Sequence, residues 1–221
     1  NNTSLKEDGF IVKNINNSLS NDLNLIQKKK IIEKIALKEL PNDYIFLDYS
    51  YYIKGCSLST FHRDVTSGQT TFNTKYPTYT VIIYEYNGDF LSICRNSHKT
   101  YPFTFSLPLN VSGKKNTLII FNSDMLHAGM INKIGNKRKV LQFKVVHKRD
   151  YDKLKHLNNI NVNKLGDCNL SYTYEYTLRK VSYHLSFYIN TIFRNFLINK
   201  KKEGIIGKIQ DRAPIKFYNN I

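Results

Sequence analysis

The chain has 221 residues, with 33 Lys or Arg against 17 Asp or Glu and a formal net charge of +16 at pH 7. Such a length fits one sizeable domain with an appendage and suffices to bury a core. The three cysteines, Cys56, Cys94 and Cys168, are scattered and form no Cys-x-x-Cys pair, which argues against a disulfide framework or a structural zinc site and for a reducing, intracellular compartment, the cytoplasm first.

The basic excess is mostly lysine, 26 of the 33, in a chain rich in Asn, Ile and Tyr and without Trp. That skew reads as a solvated lysine surface set by genome composition. Nucleic acid is a partner the charge allows, but neither an RNA-binding nor a helix-turn-helix signature supports it. The chain begins at Asn1 instead of methionine, which reads as a trimmed or partial sequence, and no leader pattern is visible in it.

Along the chain, Leu5-Lys6-Glu7-Asp8-Gly9-Phe10-Ile11-Val12 is a polar turn leading into a short apolar strand. Residues 18–22 offer helix N-caps, and Ile26, Ile31, Ile32, Ile35 and Leu37 supply an apolar stripe to about Leu40, where Pro41-Asn42-Asp43 breaks the helix. Aromatic and β-branched runs at 44–53, 78–86, 90–94, 117–121 and 139–146 predict strands, and Asn87-Gly88 predicts a hairpin between two of them. Residues 151–170 read as loop and short helix. Residues 173–198 read as a helix with Val181, Leu185, Ile189, Ile192 and Phe196 on one face, packed on the β core. That stretch carries His184, Asn190, Arg194 and Asn195, so it predicts no transmembrane span; with Lys200-Lys201-Lys202 behind it, peripheral membrane contact by 173–202 is the lesser alternative. The pattern predicts a mainly β domain with flanking helices over 1–150 and a basic, mostly helical C-terminal extension over 151–221.

The chemistry lies in His62-Arg63-Asp64, His127 and Arg138. Two histidines and a carboxylate are the ligand set of the facial triad, which holds a non-haem Fe(II) and leaves positions open for oxygen chemistry. On an extended strand His62 and Asp64 share a face, so both can reach one ion, with His127 coming from a neighbouring strand. Arg138, eleven residues later, suits a carboxylate-bearing co-substrate. Lys137 is the competing cation. Strand parity favours Arg138, which shares a polar face with Gln142 and Lys144, whereas Lys137 and Lys139 share theirs with Leu141, Phe143 and Val145.

Over roughly residues 4–146 the chain resembles the Fe(II)/2-oxoglutarate-dependent dioxygenases, in particular the phytanoyl-CoA dioxygenase-like branch. The resemblance rests on the N-terminal acidic-Gly-aromatic turn, Phe61-His62-Arg63-Asp64, Gly88-Asp89-Phe90-Leu91 with Ser97-His98-Lys99, and His127-Ala128-Gly129 with Asn132-Lys133 and Arg138-Lys139. It implies a double-stranded β-helix (jelly-roll, cupin-like) core, His62, Asp64 and His127 as catalytic metal ligands, Arg138 as the 2-oxoglutarate residue, and Fe(II), 2-oxoglutarate and O2 as cofactor and co-substrates. The related prolyl 4-hydroxylases, which use lysine for the same carboxylate, are the second choice. The interval from Asp64 to His127 is short for the phytanoyl branch.

The implied activity is hydroxylation of an unactivated C–H, with succinate and CO2 released. Halogenating relatives lack the carboxylate that Asp64 supplies here. The substrate, small molecule or peptide, is not legible. Two other readings stand beside this one: a catalytically silent jelly-roll module with a basic contact surface, and a cupin-type hydrolase or isomerase that would not need Arg138. His98, His147, His156 and His184 read as structural or surface residues, and Tyr49, Tyr51 and Tyr52 as core packing.

Overall fold

The structure, a computed structural model, describes residues 3–20, 22–55, 60–64, 68–131, 138–166 and 172–191. Cys56, Cys168, Asn132, Lys133, Lys137 and everything from Ile192 onward, Phe196 and the Lys200–Lys202 run included, lie outside the described residues.

Among the described residues nine strands form two sheets. The larger contains β1 (Phe10–Asn14), β2 (Tyr44–Gly55), β3 (Tyr79–Tyr84), β6 (Thr117–Asn122), β8 (Lys139–His147) and β9 (Ile160–Gly166), in the order β1-β6-β3-β8-β2-β9. The smaller contains β4 (Gly88–Cys94), β5 (Pro108–Gly113) and β7 (His127–Gly129), in the order β5-β4-β7. Residues 61–64 extend it, because His62 bridges antiparallel to His127. With residues 61–64 counted, the chain alternates between the sheets from β2 to β8 except for the β4–β5 return, β9 then rejoins the larger sheet, and every pairing is antiparallel except β2 with β9. This is the predicted double-stranded β-helix.

The period-two pattern of the central strands divides the core. Val81, Ile83, Leu118, Ile120, Leu141, Phe143 and Val145 pack outward against Ile32 and Ala36 of α1 (Leu25–Glu39). Their neighbours Ile82, Tyr84, Ile119, Phe121 and Val140 face inward onto Phe90, Leu91, Ile93 and Val111 of the smaller sheet. Both faces are thus covered, which is why β3 and β6 can be apolar along nearly their whole length.

Helix α1 starts three residues later than the last candidate cap. Asn24 and Gln27 form a capping box, each side chain accepting from the other's backbone N–H. A short helix, α2 (Gly68–Phe72), precedes β3. Two further expectations are corrected. Asn87-Gly88 does not close a hairpin: β3 and β4 belong to different sheets, Gly88 takes φ +142°, and Asn87 Oδ1 accepts from Lys115 N instead. Residues 151–170 are not only loop and helix: after α3 (Tyr151–Leu154) the chain returns as β9 alongside β2, held in part by Ser50 Oγ donating to Asn161 Oδ1 at 2.6 Å.

The C-terminal helices α4 (Tyr172–His184) and α5 (Ser186–Thr191) pack near residues 61–64. The expected apolar stripe does not face the barrel: Val181 and Leu185 are exposed, while Ser182, Ser186 and Asn190 are buried between Tyr183, packed on the Phe61 cluster, and Phe187, stacked on Phe103. No helix among the described residues is long and apolar enough to cross a membrane.

Candidate metal centre

His62 and Asp64 project from the extended segment 61–64, and His127 from the first residue of β7. The backbones of the two histidines exchange hydrogen bonds, His62 N to His127 O at 2.9 Å and His127 N to His62 O at 3.0 Å. This antiparallel pairing brings the side chains to one spot. Asp64 Oδ1 lies 3.8 Å from His62 Nε2 and 3.6 Å from His127 Nε2. A metal bonded at about 2.1 Å to each atom of a facial set needs them about 3 Å apart, so a modest contraction closes the site. Among the described residues this is the one cluster of three or more potential ligands within such reach.

The two imidazoles are oriented by the same device. His62 Nδ1 lies 2.9 Å from Thr60 O and His127 Nδ1 3.0 Å from Met125 O, in each case the carbonyl two residues earlier. A carbonyl only accepts, so each Nδ1 carries the proton and each Nε2 presents its lone pair. Burial pushes both imidazoles below their ordinary pKa, His127 to about 4, with the charge of His62 adding to the effect there. Both rings are therefore neutral at pH 7.

Asp64 is ionised. Burial alone would raise its carboxyl, but Lys144, His127 and His62 together hold it far below the usual carboxylate range. Lys144 Nζ stands 2.5 Å from Asp64 Oδ2, and both residues are almost wholly buried. Thr80 Oγ1 donates to the same oxygen at 2.6 Å and accepts from Lys144 at 2.6 Å. Its single proton being committed, the contact with Ser123 Oγ at 2.9 Å requires Ser123 to donate. One carboxylate oxygen is thus tied into the barrel and the other faces the histidines.

Arg138 is buried on the interior row of β8 with Val140, Gln142 and Lys144; its Nη1 is 3.5 Å from Gly55 O, and its charge acts on Tyr84 and Tyr86. The outward row, Leu141, Phe143 and Val145, packs beneath α1, as parity predicts.

Sequence reasoning missed Lys144, Thr80 and Ser123 around Asp64. It also missed Arg63, which points away from His62, Asp64 and His127. Arg63 is buried, donates to Ser97 O at 2.7 Å, to Asp124 O and to Phe103 O at 3.3 Å, and lies over the Tyr101 ring. Ser97 in turn accepts from Leu126 N at 2.8 Å, just before the distal histidine. The Ser-His-Lys segment is therefore a brace for the ligand-bearing strands. His98 packs against Gly9, whose φ of +85° and lack of a side chain let the ring approach. His147 stacks on Tyr76, His156 lies against Phe72, His184 is exposed beside Tyr183, and Tyr49 is fully buried against Tyr51.

No family model matches the sequence. No curated protein matches it either. Among solved structures, the fold is similar to EvdMO1, at 10% identity and TM-score 0.46, over 65% of this chain and 48% of that one, about half its length. It is similar to apo HygX from Streptomyces hygroscopicus, at 11% identity and TM-score 0.47, over 66% and 84%. It is also similar to SnoN from nogalamycin biosynthesis, described as a non-heme alpha ketoglutarate dependent epimerase, at 9% identity and TM-score 0.48, over 65% and 78%.

Proposed function

We propose that the chain is an Fe(II)- and 2-oxoglutarate-dependent dioxygenase of the phytanoyl-CoA dioxygenase-like branch, which hydroxylates an unactivated C–H and releases succinate and CO2. The observation that carries the reading is the convergence of His62 Nε2, His127 Nε2 and Asp64 Oδ1 at one buried spot, each set in the form that binds a metal. When bound there with 2-oxoglutarate and dioxygen, iron supplies oxidative chemistry beyond any side chain.

The chain's own residues bind, orient and exclude water. Lys144 and Thr80 hold Asp64 Oδ2, so that Oδ1 alone is aimed between the imidazoles. Arg138 offers a planar guanidinium to the distal carboxylate of 2-oxoglutarate, a bidentate partner a lysine would not reproduce. Tyr84, Phe121 and Ile82 wall the interior with apolar surface. The substrate would be a small molecule or a peptide; action on protein, as by a prolyl hydroxylase, is the neighbouring enzymatic alternative.

The Lys144–Asp64 pair supports a second reading, a metal-free jelly-roll module, because an ammonium already neutralises the carboxylate. Anaerobic addition of Fe(II) and 2-oxoglutarate decides between the two. The dioxygenase reading expects a weak visible charge-transfer band that is absent from His62→Ala, followed by succinate when oxygen is admitted. A folded, iron-supplemented protein giving neither band nor succinate leaves the module.

A further inference from the structure

Helices α4 and α5 turn a row of small polar residues to the barrel, flanked by Tyr183 against Phe61 and Phe187 against Phe103, and leave an apolar row outside. Ser182, Ser186 and Asn190 are 5%, 9% and 6% exposed, whereas Val181, Leu185 and Tyr188 are 46%, 44% and 50% exposed. An amphipathic helix normally buries its apolar stripe, so something must compensate for the buried polar one. The compensation lies in the backbone of residues 61–64. His62 N and Asp64 N point inward and donate to His127 O and Ser123 O at 2.9 and 3.1 Å. Phe61 N and Arg63 N point the other way, where a sheet would place another strand. Helices stand there instead. Phe61 N donates to Ser182 Oγ at 2.7 Å and Arg63 N to Asn190 Oδ1 at 2.8 Å.

Both acceptors are fixed. Ser182 Oγ donates to Arg179 O at 2.9 Å, and Asn190 Nδ2 donates to Ser186 O at 2.7 Å, which sets its amide so that Oδ1 faces Arg63. Arg179 adds a bond from Nη1 to Gly129 O at 2.7 Å, at the end of β7, and lies over the Phe61 ring. The two helices therefore grip both ligand-bearing segments.

We propose that α4 and α5 substitute for the missing neighbour strand of residues 61–64, and that Ser182 and Asn190 are positioning residues for the metal ligands His62 and Asp64. The significance for catalysis rests on the metal reading above; the positioning does not. A segment bonded along one edge only can twist about that edge, and ligand atoms must be held to within a fraction of an ångström for tight binding. Bonding the second edge removes the twist.

The test uses the full chain with Ser182→Ala, Asn190→Ala, the double variant, and the conservative Ser182→Thr, which keeps an accepting and donating hydroxyl. Two readouts are taken: Co(II) affinity from its visible absorption, and amide hydrogen exchange of residues 61–64 in chelator. The double alanine variant is expected to bind Co(II) roughly tenfold to a hundredfold more weakly. Exchange should quicken at His62 and Asp64, whose amides do not touch the helices, while β3 and β6 keep their protection. The conservative substitution S182T should leave both readouts as in the native chain.

Unchanged exchange at His62 and Asp64, or faster exchange everywhere alike, overturns the proposal. If the native chain takes up no Co(II), the metal reading fails by itself, and exchange alone decides the positioning role. Should the double variant not fold, the single variants are read by the same two measures.

Discussion

One oxygen of Asp64 is bonded to Lys144 at 2.5 Å while the other faces the Nε2 atoms of His62 and His127. The two sides of the carboxylate do different work. Lys144 balances the charge of Asp64, and the arrangement leaves the other oxygen facing the two imidazoles.

Removing that balance should expose it. In chelator, Lys144→Met leaves Asp64 as a buried anion with only Thr80 for support, a loss of about 3–5 kcal/mol. A divalent ion then becomes its counter-charge, so Mn(II) should raise the melting temperature of Lys144→Met by more than it raises that of the native chain. Equal gains in the two proteins would mean that the pair has no bearing on metal binding.

Arg138 should matter to the co-substrate and not to the metal. Arg138→Ala is expected to weaken 2-oxoglutarate binding by about 1.5–3 kcal/mol, the range for a hydrogen bond to a charged group. Mn(II) affinity in the absence of 2-oxoglutarate should stay the same. Titration calorimetry separates the two, and an equal loss of both affinities would remove Arg138 from the carboxylate role.

Acid should destabilise the metal-free protein through the histidines. Native His127 titrates at about 4, against 6.5 for an ordinary imidazole, so between these values the unfolded chain binds more protons than the folded one. Stability must therefore fall as pH drops through that window, by about 3 kcal/mol from this group, and His62, also lowered, acts in the same direction. Below the window the His127 contribution is gone. Melting curves in chelator from about pH 7 down to about 4.5 should slope less in His127→Gln than in the native chain.

Packing beneath α1 should be separable from the site. Phe143 is fully buried on the outward row of β8, so Phe143→Ala should cost about 3–5 kcal/mol in denaturant unfolding. Metal affinity of the folded fraction should be unaffected. A matching loss of metal affinity would show that the two rows of β8 are coupled.

The shared face of His62 and Asp64 and the parity of β8 were legible because both depend on a two-residue period, which a single strand carries in its own sequence. The alternation that places Val140 and Lys144 inside and Phe143 outside needs no knowledge of the other strands. Lys144 sits on the interior row, yet its partner is 80 residues away in sequence, and no local pattern announces such a pair. The stripe of α4 and α5 misled for a related reason. Helical periodicity shows which residues share a face, but which face turns inward was decided by two backbone N–H groups on residues 61–64, more than a hundred positions earlier. Asn87-Gly88 misled as a hairpin signal, because a local turn signal does not say whether the chain returns to the same sheet.

Helices α4 and α5 also bear on self-association. An unbonded strand margin is a template for pairing with another molecule, and here that margin carries the ligands themselves. A chain shortened before Tyr172 would leave Phe61 and Arg63 with amides aimed at solvent, next to the apolar ring of Phe103 that now stacks on Phe187. With α4 and α5 in place both amides are bonded within the chain, and the helices carry Val181, Leu185 and Tyr188 on their outer side.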